Sequence, residues 1–185
     1  DPTFNHVGDL ISSTNLIAGG DFNDATLWTL SGGDEAAGLQ WIIGDIAIAQ
    51  TGNHSWTYKN VAQGGQLDTN TGSNHYGYIE TPAPGIIEGR RYRITYDVVV
   101  ASSNNNSRLI LANHTTFAST LNSVSTNNNV NLINEKVVGT HSVEWIQGSL
   151  NVGKIKLYNN SQFDGIIDNI KVVRVGDGEN STAWS

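Results

Sequence analysis

Apolar and polar residues alternate along much of this chain, and helical periodicity is hard to find. The alternation is sharpest over residues 91–101. There Tyr92, Ile94, Tyr96, Val98 and Val100 take one face, and Arg91, Arg93, Thr95 and Asp97 take the other. A period of two with one wet face predicts an antiparallel strand packed on a single side. Comparable stretches predict strands over 40–49, 55–62, 75–80, 108–112, 142–150, 154–158 and 166–175. Short strands with polar turn clusters between them predict an all-β fold, an antiparallel β-sandwich of two packed sheets. Residues 63–74 read as a polar connection and 102–107 as a hairpin turn between two strong strands. Residues 113–136 are too long for a structureless loop in a compact domain, so one or two short strands are expected there.

Composition narrows the function. The chain has 185 residues and a formal net charge of −7, with only 10 Lys and Arg. It is long enough for one domain with a substantial core. Nucleic-acid binding needs a basic footprint that this chain lacks. No apolar run approaches the length of a membrane helix. Cysteine is absent, which excludes disulfides and thiolate metal sites. A start at Asp1-Pro2 without Met reads as a processed or excised piece.

The two ends match each other. Residues 15–23 read Asn-Leu-Ile-Ala-Gly-Gly-Asp-Phe-Asn, with Trp28 shortly after; residues 163–170 read Phe-Asp-Gly-Ile-Ile-Asp-Asn-Ile. Between them, Trp41-Ile42-Ile43-Gly44 forms a third motif. Together they resemble the opening, inner and closing strands of galactose-binding-like jelly rolls. That is the fold of many carbohydrate-binding modules and of related domains in bacteriophage tail fibres and other virion proteins. The resemblance covers residues 14–175, which implies a jelly-roll domain there, an N-terminal extension over 1–13 and a C-terminal extension over 176–185. It marks a fold more than an activity.

Asp168 shares the parity of Ile166, Ile170 and Val172, which aims its carboxylate at the apolar side of the last strand. A charge there needs a partner. One reading is that it accepts backbone N–H groups from the opening turn. The resemblance implies another, a structural Ca2+ held by Asp168 and the Asp21–Asn23 turn, oxygen ligands that suit this ion. Asn23 stands where relatives often carry an acid, which removes one charge from such a site. A break in the strand's alternation is the third reading.

Sugar-binding modules present flat aromatic rings on an open sheet face, flanked by hydrogen-bonding side chains. Candidate ligand-binding residues are Trp56 with Tyr58, and Tyr76 with Tyr78, each pair at strand spacing, supported by Asn74 and His75. Trp28, Trp41 and Trp145 are expected in the core. Catalytic motifs are missing: there is no nucleophile elbow, phosphate loop or zinc helix motif, and the histidines are scattered. Glu80 and Glu144 come closest to a carboxylate pair, and solvated surface is their ordinary reading.

The expectation is therefore a non-enzymatic virion component, a tail-fibre, spike or capsid-decorating domain that contacts other virion subunits and host glycans. Assembly into a homotrimer belongs to that reading. The alternative is a carbohydrate-binding module of a secreted bacterial polysaccharide-degrading enzyme, monomeric and extracellular.

Overall fold

A computed structural model of the chain describes residues 8–32, 41–50, 54–64, 77–103, 108–112, 130–132, 136–149, 151–160 and 163–176. After a short 3-10 turn at Ala25–Leu27 come β1 (Thr29–Gly32), β2 (Ile42–Gln50), β3 (His54–Gln63), β4 (Gly77–Pro82) and β5 (Arg91–Val100). They are followed by β6 (Arg108–Leu111), β7 (Val130–Leu132), β8 (Gly139–Ile146), β9 (Lys154–Asn160) and β10 (Ile166–Arg174). The strands form two five-stranded antiparallel sheets, in the orders β1-β4-β9-β6-β7 and β2-β3-β10-β5-β8. This is the all-β sandwich that the alternation predicts. Each of the eight predicted strands is present, and β7 lies within the stretch expected to hold short strands.

Inward-facing residues of the two sheets meet in one core. Ile79, Leu109, Leu111 and Leu157 of the first sheet pack against Tyr92, Ile94, Tyr96, Val98 and Val172 of the second. Trp28, Trp41 and Trp145 are buried as expected, and each indole N–H finds an acceptor: Gly19 O at 2.7 Å, Gly77 O at 3.2 Å and Gln147 Oε1 at 3.1 Å. A buried indole needs that partner, because an unpaired N–H costs about 1–3 kcal/mol.

Segment 102–107 differs from expectation. β5 and β6 lie in different sheets, so the segment crosses between them and is not a hairpin turn. Alternation shows which face a strand buries, not which strand it pairs with. Asp164 holds the departing chain, accepting the Ser102 hydroxyl at 2.6 Å and the Ser103 N–H at 2.8 Å.

The ends are joined as their matching motifs imply. The opening segment runs beside the second half of β10, with Gly8 N–H donating to Gly176 O, Leu16 N–H to Val172 O, and Ile170 N–H to Gly20 O. Gly8, the first described residue, is already paired, and it lies inside the segment expected as an N-terminal extension. Asn15 clamps the junction from its side chain: Oδ1 accepts Val172 N–H at 2.9 Å and Nδ2 donates to Ile170 O at 3.4 Å. The motif glycines are steric requirements. A Cβ on Gly20 would sit 1.8 Å from Ile170 O, and one on Gly165 would sit 2.6 Å from Val100 O. No side chain fits at either place.

Asp168 corrects the parity argument. β10 carries an extra residue between Asp168 and Lys171, with Asn169 at a left-handed φ of 50°. This bulge reverses the alternation. Ile167, Ile170 and Val172 face the core, while Asp168 stands opposite Asp97 on the outward side. Its carboxylate accepts the N–H of its neighbour Asn169 at 2.7 Å. The tie between the ends is made by Asn15 and the main chain instead.

Candidate functional site

The outward face of the first sheet gathers the residues best suited to chemistry. On β9, Ile155 and Leu157 point into the core, so Lys154, Lys156 and Tyr158 project outward. On β4, Ile79 is buried, so Tyr78 and Glu80 project to the same side. The register sets Tyr78 opposite Tyr158 and Glu80 opposite Lys156. Tyr158 in turn stands opposite Ile110 of β6. A row of side chains thus crosses the central strands.

The geometry within this row is close. The Tyr78 and Tyr158 rings meet edge to face at 5.4 Å between centroids. The Lys156 ammonium lies 3.6 Å from the Tyr78 centroid and 5.2 Å from that of Tyr158. Such a cation over a ring is worth about 0.5–2 kcal/mol, more as water is excluded. Glu80 faces both cations, with Lys154 Nζ at 3.4 Å and Lys156 Nζ at 3.9 Å. Tyr158 packs with Ile110 and Ala112 as an apolar floor, with Tyr78 half-buried at its margin. Among the described residues the Tyr78 hydroxyl and the Lys156 ammonium make no hydrogen bond, although the Lys156 side chain is only 12% exposed. An aromatic floor bearing unused donors is suited to a ligand rich in hydroxyl or carboxyl oxygens.

The expected ligand residues divide between the two sheets. Tyr78 belongs to the face just described. Trp56 and Tyr58 lie on the outer side of the second sheet, opposite Ile48 and Ile46 across the β2–β3 pair. There Tyr58 and Ile48 pack on a small cluster of Ile46, Val61 and Ile166, and Trp56 remains 54% exposed. β3 meets β10 only at residues 62 and 63, so the length bearing Trp56 stands clear of that neighbour. Asn74, His75 and Tyr76 lie outside the described residues, as does most of the polar connection that leads into β4. Lys156 and Tyr158 were missed in the sequence. Their only signal was the alternation over 154–158, which places Lys154, Lys156 and Tyr158 on one side and says nothing of Tyr78 as a neighbour.

Acidic residues are similarly dispersed. Glu80 and Glu144 stand on opposite outer faces, so they form no carboxylate pair. Glu144 is engaged by Arg93 Nη2 at 2.7 Å and Arg91 Nη1 at 3.6 Å. Asp21 is occupied by Asn23, whose N–H and side-chain amide donate to it at 3.2 and 2.5 Å. Asp168 lies close enough to Asp97 and Asp21 for their charges to act on it. Partial burial pushes its carboxyl above the ordinary range against the Asn169 N–H, and these two neighbours raise it further. Among the described residues, no group of three His, Asp or Glu side chains is placed to hold a metal ion.

No family model and no curated protein matches the sequence. Solved structures similar to the chain are carbohydrate-binding modules and a phage tailspike domain. The enzymatically active domain of tailspike protein 4 from bacteriophage CBA120 is 12% identical over 87% of this chain, with a TM-score of 0.44. The chain spans 21% of that tailspike's length. The module TmCBM61, solved with β-1,4-galactotriose, is 13% identical over 88% of this chain and 99% of its own, with a TM-score of 0.44. The CBM22-1 xylan-binding domain of Paenibacillus barcinonensis Xyn10C is 12% identical over 92% of this chain and 97% of its own, at a TM-score of 0.41. At these identities the likeness concerns the fold alone.

Proposed function

We propose that this domain is a non-catalytic carbohydrate-recognition module that binds sugar on the outer face of the β1-β4-β9-β6-β7 sheet. The observation that carries this reading is the unused hydrogen-bonding capacity beside the Tyr78–Tyr158 pair. Sugar C–H groups pack on such rings while their hydroxyls take the Tyr78 and Lys156 donors. Its role is display on a virion, as part of a tail fibre, spike or capsid decoration that attaches to host glycans. Trp56 supports that assignment. A large exposed indole beside an apolar cluster suits a protein contact, since tryptophan is enriched at interface hot spots. The two surfaces lie on different sheets, which leaves the sugar face open when the other is covered.

The test is binding of the purified protein to a glycan and polysaccharide array, with Ca2+ and again with EDTA. Galactan and xylan fragments belong in the panel. A saturable hit that Tyr78→Ala removes, on protein that still melts cooperatively, is the expected result. A blank array with folded protein overturns the reading. Light scattering tests the virion assignment: a trimer that Trp56→Ser dissociates supports it, and a monomer at micromolar concentration favours the module of a secreted enzyme.

A further inference from the structure

The charges on the same face narrow the ligand class, an inference that rests on the sugar-binding reading above. Two ammonium groups, Lys154 and Lys156, share one carboxylate, Glu80. The local sum is one positive charge, on a chain whose net charge is −7. Glu80 also divides its attention unequally. It lies within hydrogen-bonding reach of Lys154 at 3.4 Å, but 3.9 Å separates it from Lys156. A contact of that length is an electrostatic pair without a hydrogen bond.

Lys156 is therefore the unusual member. Its stem is buried against two tyrosines, and its ammonium is held by ring faces and by a carboxylate out of hydrogen-bonding range. An ammonium has three donors and is strongly hydrated in water. The side chain is only 12% exposed, and no acceptor among the described residues hydrogen-bonds the ammonium, so its donors are left to water or to a ligand. A neutral hydroxyl would restore one weak bond. A carboxylate would supply a charge-assisted bond, roughly twice as strong, in surroundings of reduced dielectric.

We infer that this face selects an acidic glycan, one that carries a hexuronate or similar carboxylated sugar, with its carboxylate on Lys156 and its ring against Tyr78. The overall charge limits this further. A densely charged polyanion is repelled by a chain at −7. A glycan with an isolated carboxylate among neutral sugars meets one local cation and little long-range repulsion.

Titration calorimetry on matched pairs tests this: acidic oligosaccharides, such as glucuronoxylan fragments, beside the same fragments after carboxyl reduction to neutral sugars. The expected result is at least tenfold tighter binding of the acidic member, with the preference shrinking as salt rises. Lys156→Gln should collapse the ratio of the two affinities, and Lys156→Arg should restore much of it; thermal melts confirm that both variants fold. Equal affinity for the two members overturns the acidic preference and leaves the sugar-binding reading intact. No binding of either member, or of the neutral galactan and xylan fragments, overturns both.

Discussion

The two outward faces of the sandwich are built by the same alternation, yet they pair their polar groups to different degrees. On the β2-β3-β10-β5-β8 sheet several polar side chains answer one another, although Asp168 faces the like charge of Asp97. Arg93 donates to Glu144 through Nε at 3.0 Å and Nη2 at 2.7 Å, and reaches Gly8 O at 2.8 Å. Asp97 accepts the Thr140 hydroxyl at 2.5 Å and the Asn169 amide at 2.7 Å. On the β1-β4-β9-β6-β7 sheet, Tyr78 and Lys156 keep donors unused beside an aromatic pair. Polar groups that satisfy each other stabilise a fold. Donors without a protein partner stay available to a ligand. The difference lies in which donors remain, not in how polar each face is.

The largest effect that can break this comparison is on binding. Tyr78→Ala should weaken glycan binding tenfold or more, because it removes both a stacking ring and a hydroxyl donor. Trp56→Ala should leave that affinity unchanged within about twofold. Titration calorimetry with any glycan found on the array decides it, and the reverse pattern would move the site to the other sheet.

Next comes the stability of the second face. Glu144→Ala removes the carboxylate that Arg93 and Arg91 share and loosens the hold of Arg93 on Gly8. A partly exposed ion pair with two donors on one carboxylate oxygen is worth about 1 kcal/mol, so the Tm should fall by roughly 2–4 °C. An unchanged melt would mean that this network is ornamental.

A smaller pair of effects concerns two carboxylates at either end of the same motif. Partial burial opposes the charge on Asp164, but the Ser102 hydroxyl and the Ser103 hydroxyl and N–H outweigh it and hold its pKa below the usual value of 3.8. Its contribution is present above the unfolded pKa and is lost as pH falls through the lowered folded value. Asp164→Asn should therefore cost about 1 kcal/mol at pH 7, and the deficit should shrink on acidification. Asp168 has the opposite sign. Its raised pKa makes the charged form unfavourable in the fold, so Asp168→Asn should stabilise the protein at pH 7. That gain should fade as pH falls through the folded pKa toward the unfolded one. Melts from pH 3 to pH 7 read both, and parallel curves for the two variants would refute the assignment.

The smallest expected effect is on melting by Trp56→Ser. A side chain that is 54% exposed gives up little burial, so the Tm should move by no more than about a degree. A large drop would show that Trp56 supports the fold and is not held out for contact.

Much of the architecture could be read along the chain. The alternation marks β5 and both of its faces as far as Val98, whereas Val100, read as inward, packs on the outer cluster of Ile46, Val61 and Ile166. Alternation with Val143 places Trp145 inside, and the resemblance places Trp28 and Trp41 there. β1 escaped because Thr29–Gly32 is short and shows no clean alternation. The site was legible only in part. Tyr78 stands out by its own strand spacing, and Glu80 only by its charge. Lys156 and Tyr158 lie some eighty residues further on, and nothing local points from one strand to the other.

Two misreadings show where local pattern stops. A single extra residue at Asn169 turned Asp168 from the core to the surface, because a period of two has no tolerance for insertion. Segment 102–107 reads as a hairpin turn between two strong strands, but strand order puts β5 and β6 in different sheets. Period-two burial is a property of neighbouring residues, so alternation was enough to specify a sandwich and most of its core, while the joined ends are what the family resemblance implies. Which strands lie side by side depends on distant segments competing for the same edge. Only the folded molecule therefore brought Lys156 over Tyr78 and left their donors facing outward.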